Sequence, residues 1–130
     1  MSYMPLRKSD VHETPDRVYD MIYQLFGLSK DDMFDPCPLN PDFDGLQIPW
    51  KKYNYVNPPY SHLPQFVDKA ISEANANKCC SFMLLPSKTD QEWFHNIRSM
   101  GYQIIWIKGR LKFKNHKYHA TQPHFLAKIA

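Results

Sequence analysis

Apolar positions along the chain switch between helical spacing and short strand-like runs. After Thr14–Pro15, the residues Val18, Met21, Ile22, Leu25 and Phe26 recur at intervals of three and four, and Gly27 follows where the periodicity stops. Thr14 and Pro15 read there as a helix N-cap and a first helical residue. The same spacing predicts a helix over residues 63–76, with Phe66, Val67, Ala70, Ile71 and Ala74 on one face. Another is predicted over residues 90–99, with Trp93, Phe94 and Ile97 inward. Strand-like runs lie between these segments. One ends near Asp35, one covers residues 53–56, and the continuous apolar run CCSFMLL is closed by Pro86. YQIIWIK and HFLAKIA read as later strands, with RLKFK a candidate between them. Helices and strands in alternation predict an α/β fold with a largely parallel sheet. The length suits a single domain over residues 1–130.

In sheets of this class, ligands bind beyond the carboxyl ends of the strands. Three predicted strand exits carry distinctive residues: DPCP at 35–38, NPPY at 57–60 and LPSKTD at 85–90. Parallel neighbours would bring all three to one rim. NPPY is the most informative of them. Two consecutive prolines cannot continue a central strand, because each lacks an N–H and has φ held at about −65°. The chain therefore leaves the sheet at Asn57, in a stiff loop held by Pro58 and Pro59. The Asn57 side-chain oxygen and the Pro58 carbonyl then suit a planar amine with two N–H donors. Tyr60 offers a flat face on which a base can stack. An aromatic amine is a poor nucleophile because its lone pair is delocalised into the ring. Two acceptors gripping its hydrogens favour pyramidalisation and ready the lone pair for attack. A plain strand-ending turn explains the same four residues without any chemistry.

Charge adds a direction to this picture. Residues 1–50 carry four Lys or Arg against nine Asp or Glu, whereas residues 101–130 carry six Lys or Arg and no acid. A basic C-terminal third suits contact with a polyanion, although a solvated lysine-rich face reads the same way. Cys37 and the adjacent Cys79–Cys80 form no disulfide framework and lack metal-ligand spacing, which points to a reducing compartment. His116, His119 and His124 fall near one another but with no Cys or acid beside them, so no metal site is expected. No run approaches a membrane span, and MSYMPLRKSD lacks the apolar core of a signal peptide. A cytoplasmic location is the expectation.

Several motifs together resemble one family. TPDRVYD, FDPCPLNPDFDGLQIPW, YVNPPYS, FVDKAI, LLPSKTDQEWFH and IKGRLKF occur in the order seen in phage-type, Dam-like DNA N6-adenine methyltransferases, from about residue 12 to the end of the chain. The resemblance implies a compact Rossmann-like methyltransferase fold, mostly parallel, with an antiparallel last strand. It implies S-adenosylmethionine as cofactor and DNA as partner, in the host cytoplasm if the chain is phage-encoded. Asn57, Pro58, Pro59 and Tyr60 would form the catalytic motif. Thr14, Pro15, Asp35, Pro36, Cys37 and Asp44 would lie about the cofactor, with Asp35 near its methionine part and Asp44 near its adenine. Lys88, Thr89, Lys108, Arg110 and Lys112 would face nucleic acid. The target adenine would leave the helix stack, since its N6 is unreachable inside a duplex.

Local readings compete with several of these roles. DPCP is also an Asp-Pro turn, and DFDGL an Asp-Gly turn. Thr89 or Asp90 can be a simple N-cap, and KGRLKF an exposed basic hairpin. The stretch between Asp35 and Asn57 is too short for two strand–helix units. The second and third strands of a full methyltransferase sheet are therefore expected to be missing, with a loop holding the adenosine half of the cofactor. No room remains for a separate target-recognition domain, which leaves a homodimer or a partner subunit open. Two other functions fit parts of the pattern. One is a non-catalytic nucleic-acid-binding relative. The other is a protein glutamine N-methyltransferase, because sites of the NPPY kind also serve other planar amides and amines.

Overall fold

The computed structural model describes residues 12–130; the segment MSYMPLRKSD lies outside them. The helices are α1 (Asp16–Phe26), α2 (Leu63–Asn77) and α3 (Glu92–Ser99). The strands are β1 (Tyr53–Val56), β2 (Cys80–Pro86), β3 (Gln103–Trp106) and β4 (His124–Ile129). The sheet runs in the order β1-β2-β4-β3. β1 pairs with β2 in parallel, and β4 pairs antiparallel with both β2 and β3. The sheet is therefore mixed rather than mostly parallel. β1, β2 and β3 share one direction, and the last strand inserts between β2 and β3 with the opposite sense.

Two predicted strands are replaced by other structure. The strand ending near Asp35 is reduced to a bridge at Phe34, parallel to Asn54. Its two backbone hydrogen bonds, Phe34 N to Tyr53 O and Phe34 O from Tyr55 N, are each 2.9 Å. Pro36 has no N–H with which to extend that ladder. RLKFK is not a strand. Its backbone partners lie in the loops: Lys114 N donates to Glu13 O, and Leu111 O accepts from Ala120 N.

Both faces of the central strands β2 and β4 are buried, as the unbroken apolar run of β2 requires. Phe82 and Leu84 of β2 and Leu126 of β4 face Val18 and Ile22 of α1, together with Ile107, Leu111 and Phe113. Met83, Leu85, Phe125, Ala127 and Ile129 face α2 and α3. The strand period of two thus appears as two separate apolar clusters on opposite sides. α1 stops at Gly27, whose φ of 73° lets its N–H close on Tyr23 O at 2.8 Å. Pro15, not Thr14, occupies the N-cap of α1, and no side chain caps that end. Gln91 likewise precedes α3 without a side-chain cap, so neither Thr89 nor Asp90 serves as one.

The loop between Phe34 and β1 contains no helix or strand, and it folds back on Pro36. Gly45 is the contact: a Cβ there would sit 1.9 Å from the Pro36 carbonyl oxygen. Trp50, buried beneath, donates its indole N–H to Gly45 O at 2.8 Å. Gly45→Ala should therefore lower stability by about 3 kcal/mol or more, through overpacking against backbone that has nowhere to move. Urea unfolding of the two proteins measures this; equal midpoints would show that the loop yields freely.

Candidate functional site

The shared direction of Phe34, β1, β2 and β3 sends their carboxyl ends to one rim. DPCP, NPPY and LPSKTD leave the sheet there, as does the basic segment after β3.

Asn57 directly follows β1, with its side chain half-buried. Its amide Nδ2 donates to the His12 carbonyl at 2.5 Å and to Thr14 Oγ1 at 3.0 Å. Thr14 Oγ1 lies 2.7 Å from the hydroxyl of Tyr55, which shares the Asn57 face of the strand two residues earlier. Pro58 and Pro59 are buried and hold the turn from beneath. Tyr60 is partly buried, and its hydroxyl lies 2.8 Å from His124 Nε2. The His12 ring packs on Tyr60 with centroids 4.3 Å apart, and Lys88 Nζ stands 5.7 Å from the Tyr60 ring centre.

A cavity of about 300 Å³ joins this strand exit to the DPCP corner, lined by Thr14, Tyr19, Asp35, Cys37, Pro38 and Asn57 among others. A wider one of about 630 Å³ lies beside Tyr60, between His12, Phe113 and the loop around Tyr118. His12 borders both.

Burial dominates the electrostatics. It raises the Asp35 carboxyl to about 6, against the Cys37 N–H and the nearby Lys30, which pull it down. Burial, reinforced by Asp35, pushes the Cys37 thiol up to about 12. Tyr60 is pushed to about 12 by the same cause, and His124 is driven down to about 4. At neutral pH both are uncharged, and the hydrogen bond between the phenol oxygen and Nε2 ties the Tyr60 ring to His124.

The remaining predicted residues divide clearly. Asp35 closes its own turn, accepting from Cys37 N at 2.8 Å, and still faces the cavity. Pro15 starts α1, and Pro36 is buried under Gly45. Asp44 caps a tight turn by accepting from Leu46 N at 3.0 Å, and it does not line the cavity shared by Asp35 and Asn57. Thr89 is exposed, its carbonyl accepting from His95. Lys108, Arg110 and Lys112 are exposed, while Ile107, Leu111 and Phe113 between them are buried. That alternation anchors a basic strip to the rim without a hairpin. Lys112 Nζ donates to His116 O, and the Lys108 carbonyl accepts from Arg17.

His12, Tyr55 and His124 are parts of the site that were not assigned to it from sequence. Tyr55 carried a signal, its i−2 relation to Asn57 on a strand. His12 carried none, because a crossing by a preceding segment leaves no local pattern.

The family model described as DNA N-6-adenine-methyltransferase (Dam) matches residues 1–128. The chain belongs to that family. A DNA N-6-adenine-methyltransferase of Escherichia phage T1 is 40% identical over 60 residues, which is 46% of this chain and 25% of that protein. One of Haemophilus phage HP1 (strain HP1c1) is 28% identical over 120 residues, covering 83% of this chain and 68% of that protein. The chain thus spans a quarter of the first relative's length and about two thirds of the second's. The mixed α/β sheet is compatible with a methyltransferase-like fold. Among the described residues, no helix is long and apolar enough to cross a membrane.

The raised Asp35 pKa makes a stability prediction. The carboxyl moves from 3.8 unfolded to about 6 folded, so its protonated form favours folding. That contribution is complete below pH 3.8 and is lost as pH rises through about 6. Asp35→Asn should therefore stabilise the protein by up to about 3 kcal/mol at pH 8, with the gain fading toward zero below pH 4. Urea unfolding at both pH values tests this, and a gain independent of pH would contradict it.

Proposed function

We propose that this protein methylates N6 of adenine in DNA, using S-adenosylmethionine. The observation that carries the reading is the cavity joining Asp35 and Cys37 to Asn57. A methyl donor and an amine acceptor must meet in a shared space, and these two motifs border one. The strand order supports a Rossmann-like methyltransferase fold lacking its second and third strands. Membership of the DNA N-6-adenine-methyltransferase family supports adenine and DNA.

The residues present fit the cofactor. A buried, ionised carboxylate suits a cationic ligand, and Asp35 is such a group at neutral pH. S-adenosylmethionine, when bound, supplies a methyl carbon activated by a sulfonium. Asp35, Pro36 and Cys37 would hold its methionine part, with Thr14 and Pro15 close by. The loop carrying Asp44 would hold the rest.

Asn57 Oδ1 and the Pro58 carbonyl accept the two hydrogens of the target amine. That grip draws the nitrogen toward a pyramidal geometry and makes its lone pair available. Tyr60, with its ring fixed by His124, stacks on the extruded base, which takes the place of the His12 ring. Attack itself makes the amine hydrogens acidic, and one leaves to water afterward, so no residue acts as base. Lys108, Arg110 and Lys112 contact phosphates along the rim, and Lys88 approaches from the Tyr60 side.

A second reading has one observation in its favour. The adenosine side rests on residues 36–52, which contain neither helix nor strand, and a relative without cofactor binding would share that feature. Calorimetric titration with S-adenosylmethionine separates the two: the enzyme releases or absorbs heat, and the binding module gives none. Asn57→Ala should abolish methyl transfer while DNA affinity stays within about 2-fold, since the amide acts on the transition state. Turnover that survives this change contradicts the assigned site. Removing Arg110 should flatten the slope of log affinity against log salt by about 1, as for a single phosphate contact. An unchanged slope would place the DNA on another face.

A further inference from the structure

The orientation of the Asn57 amide decides whether the site works. An amide rotated by half a turn presents two donors to an amine that also donates, and the two repel. Chemistry at the Asn57 position requires its oxygen toward the target and its nitrogen away.

Each half of the amide has a structural cause for its placement. On the nitrogen side stand the His12 carbonyl, which can only accept, and Thr14 Oγ1, at 2.5 and 3.0 Å. Thr14 is buried, and its hydroxyl is tied at 2.7 Å to the buried hydroxyl of Tyr55. On the oxygen side, the question is why Asn57 does not fold its oxygen back onto its own backbone, as short polar side chains do at strand exits. Asp35 on this rim and Asp44 in the loop that follows it do so. Asp35 Oδ1 accepts from the N–H two residues on, at Cys37, and Asp44 Oδ1 accepts from the N–H two residues on, at Leu46. The residue two beyond Asn57 is Pro59, which has no N–H.

We propose that Thr14 and Pro59 are positioning residues that set the polarity of the Asn57 amide: Thr14, braced by Tyr55, holds the nitrogen, and Pro59 withholds the donor that would capture the oxygen. The second proline thus has a chemical role besides stiffness. Thr14 borders the cofactor cavity, but its hydroxyl is committed to Asn57 and Tyr55. The proposal rests on the methyltransferase reading of the site.

The test compares four variants, each checked for folding by circular dichroism. Thr14→Val should lower kcat by on the order of 10-fold to 100-fold, with cofactor Kd within about 2-fold, and Thr14→Ser should recover most of the loss. Pro59→Ala, which restores an N–H at the capturing position, should lower kcat at least about 10-fold more than Pro58→Ala, which loosens the same loop without doing so. A readout independent of turnover is hydrogen exchange of the Asn57 side-chain amide in the cofactor-free protein, which Thr14→Val should accelerate. The proposal is overturned if Thr14→Val weakens cofactor binding while kcat at saturation persists. Equal losses in the two proline variants, or unchanged exchange, overturn it as well. Failure of the wild type to methylate adenine would defeat the functional reading instead, and the exchange data would still decide the polarity of the amide.

Discussion

A backbone without donors immediately after Asn57 is the constraint from which this rim is built. Pro58 and Pro59 end β1 abruptly, so the strand delivers one polar side chain to the carboxyl edge of the sheet and then turns away. Both prolines are buried, so the core holds the turn from beneath, and the Pro59 carbonyl accepts from His62 N at 3.1 Å. Neither proline has an N–H, so the polar backbone atoms they contribute are acceptors only, and an amine is the natural complement to a pair of acceptors.

The surroundings reinforce that selectivity. Burial holds the Cys37 thiol, the Tyr60 phenol and the His124 imidazole in their neutral forms at pH 7. Among these buried groups, Asp35 alone ionises near neutrality. The cavity is therefore poorly suited to thiolate chemistry. It is well suited to holding a cationic ligand beside an uncharged amine. The basic strip on the same rim keeps its cations outside this interior, since Lys108, Arg110 and Lys112 point to solvent while the apolar residues between them anchor the segment. The basic strip and the buried cavity thus occupy neighbouring but separate environments.

Much of this was legible in the chain. The amphipathic spacing located all three helices to within a residue or two at each end, and the CCSFMLL run identified the doubly buried strand β2. NPPY marked its own exit because prolines forbid continuation. The misreadings have physical causes. RLKFK alternates like a strand because Leu111 and Phe113 are buried, yet its backbone bonds go to Glu13 and Ala120 in loops. Alternation reports burial, not pairing. Near Asp35, the apolar residues are too few and Pro36 too close for more than a bridge at Phe34. Thr14 resembled a helix cap in type and position, but its hydroxyl turned to Tyr55 and Asn57, partners 41 and 43 residues away. His12 was beyond reach for the same reason: its role comes from tertiary crossing alone.

The central claim is that the Asn57 turn activates an exocyclic amine of a nucleobase beside a methyl-donor cavity. The most direct measurement incubates the protein with methyl-labelled S-adenosylmethionine and DNA of mixed sequence, digests the DNA and identifies the labelled nucleoside. The account predicts label in N6-methyl-2′-deoxyadenosine. Label confined to cytosine N4 or to added protein would contradict the substrate, and no label at all, with a folded protein, would contradict the activity.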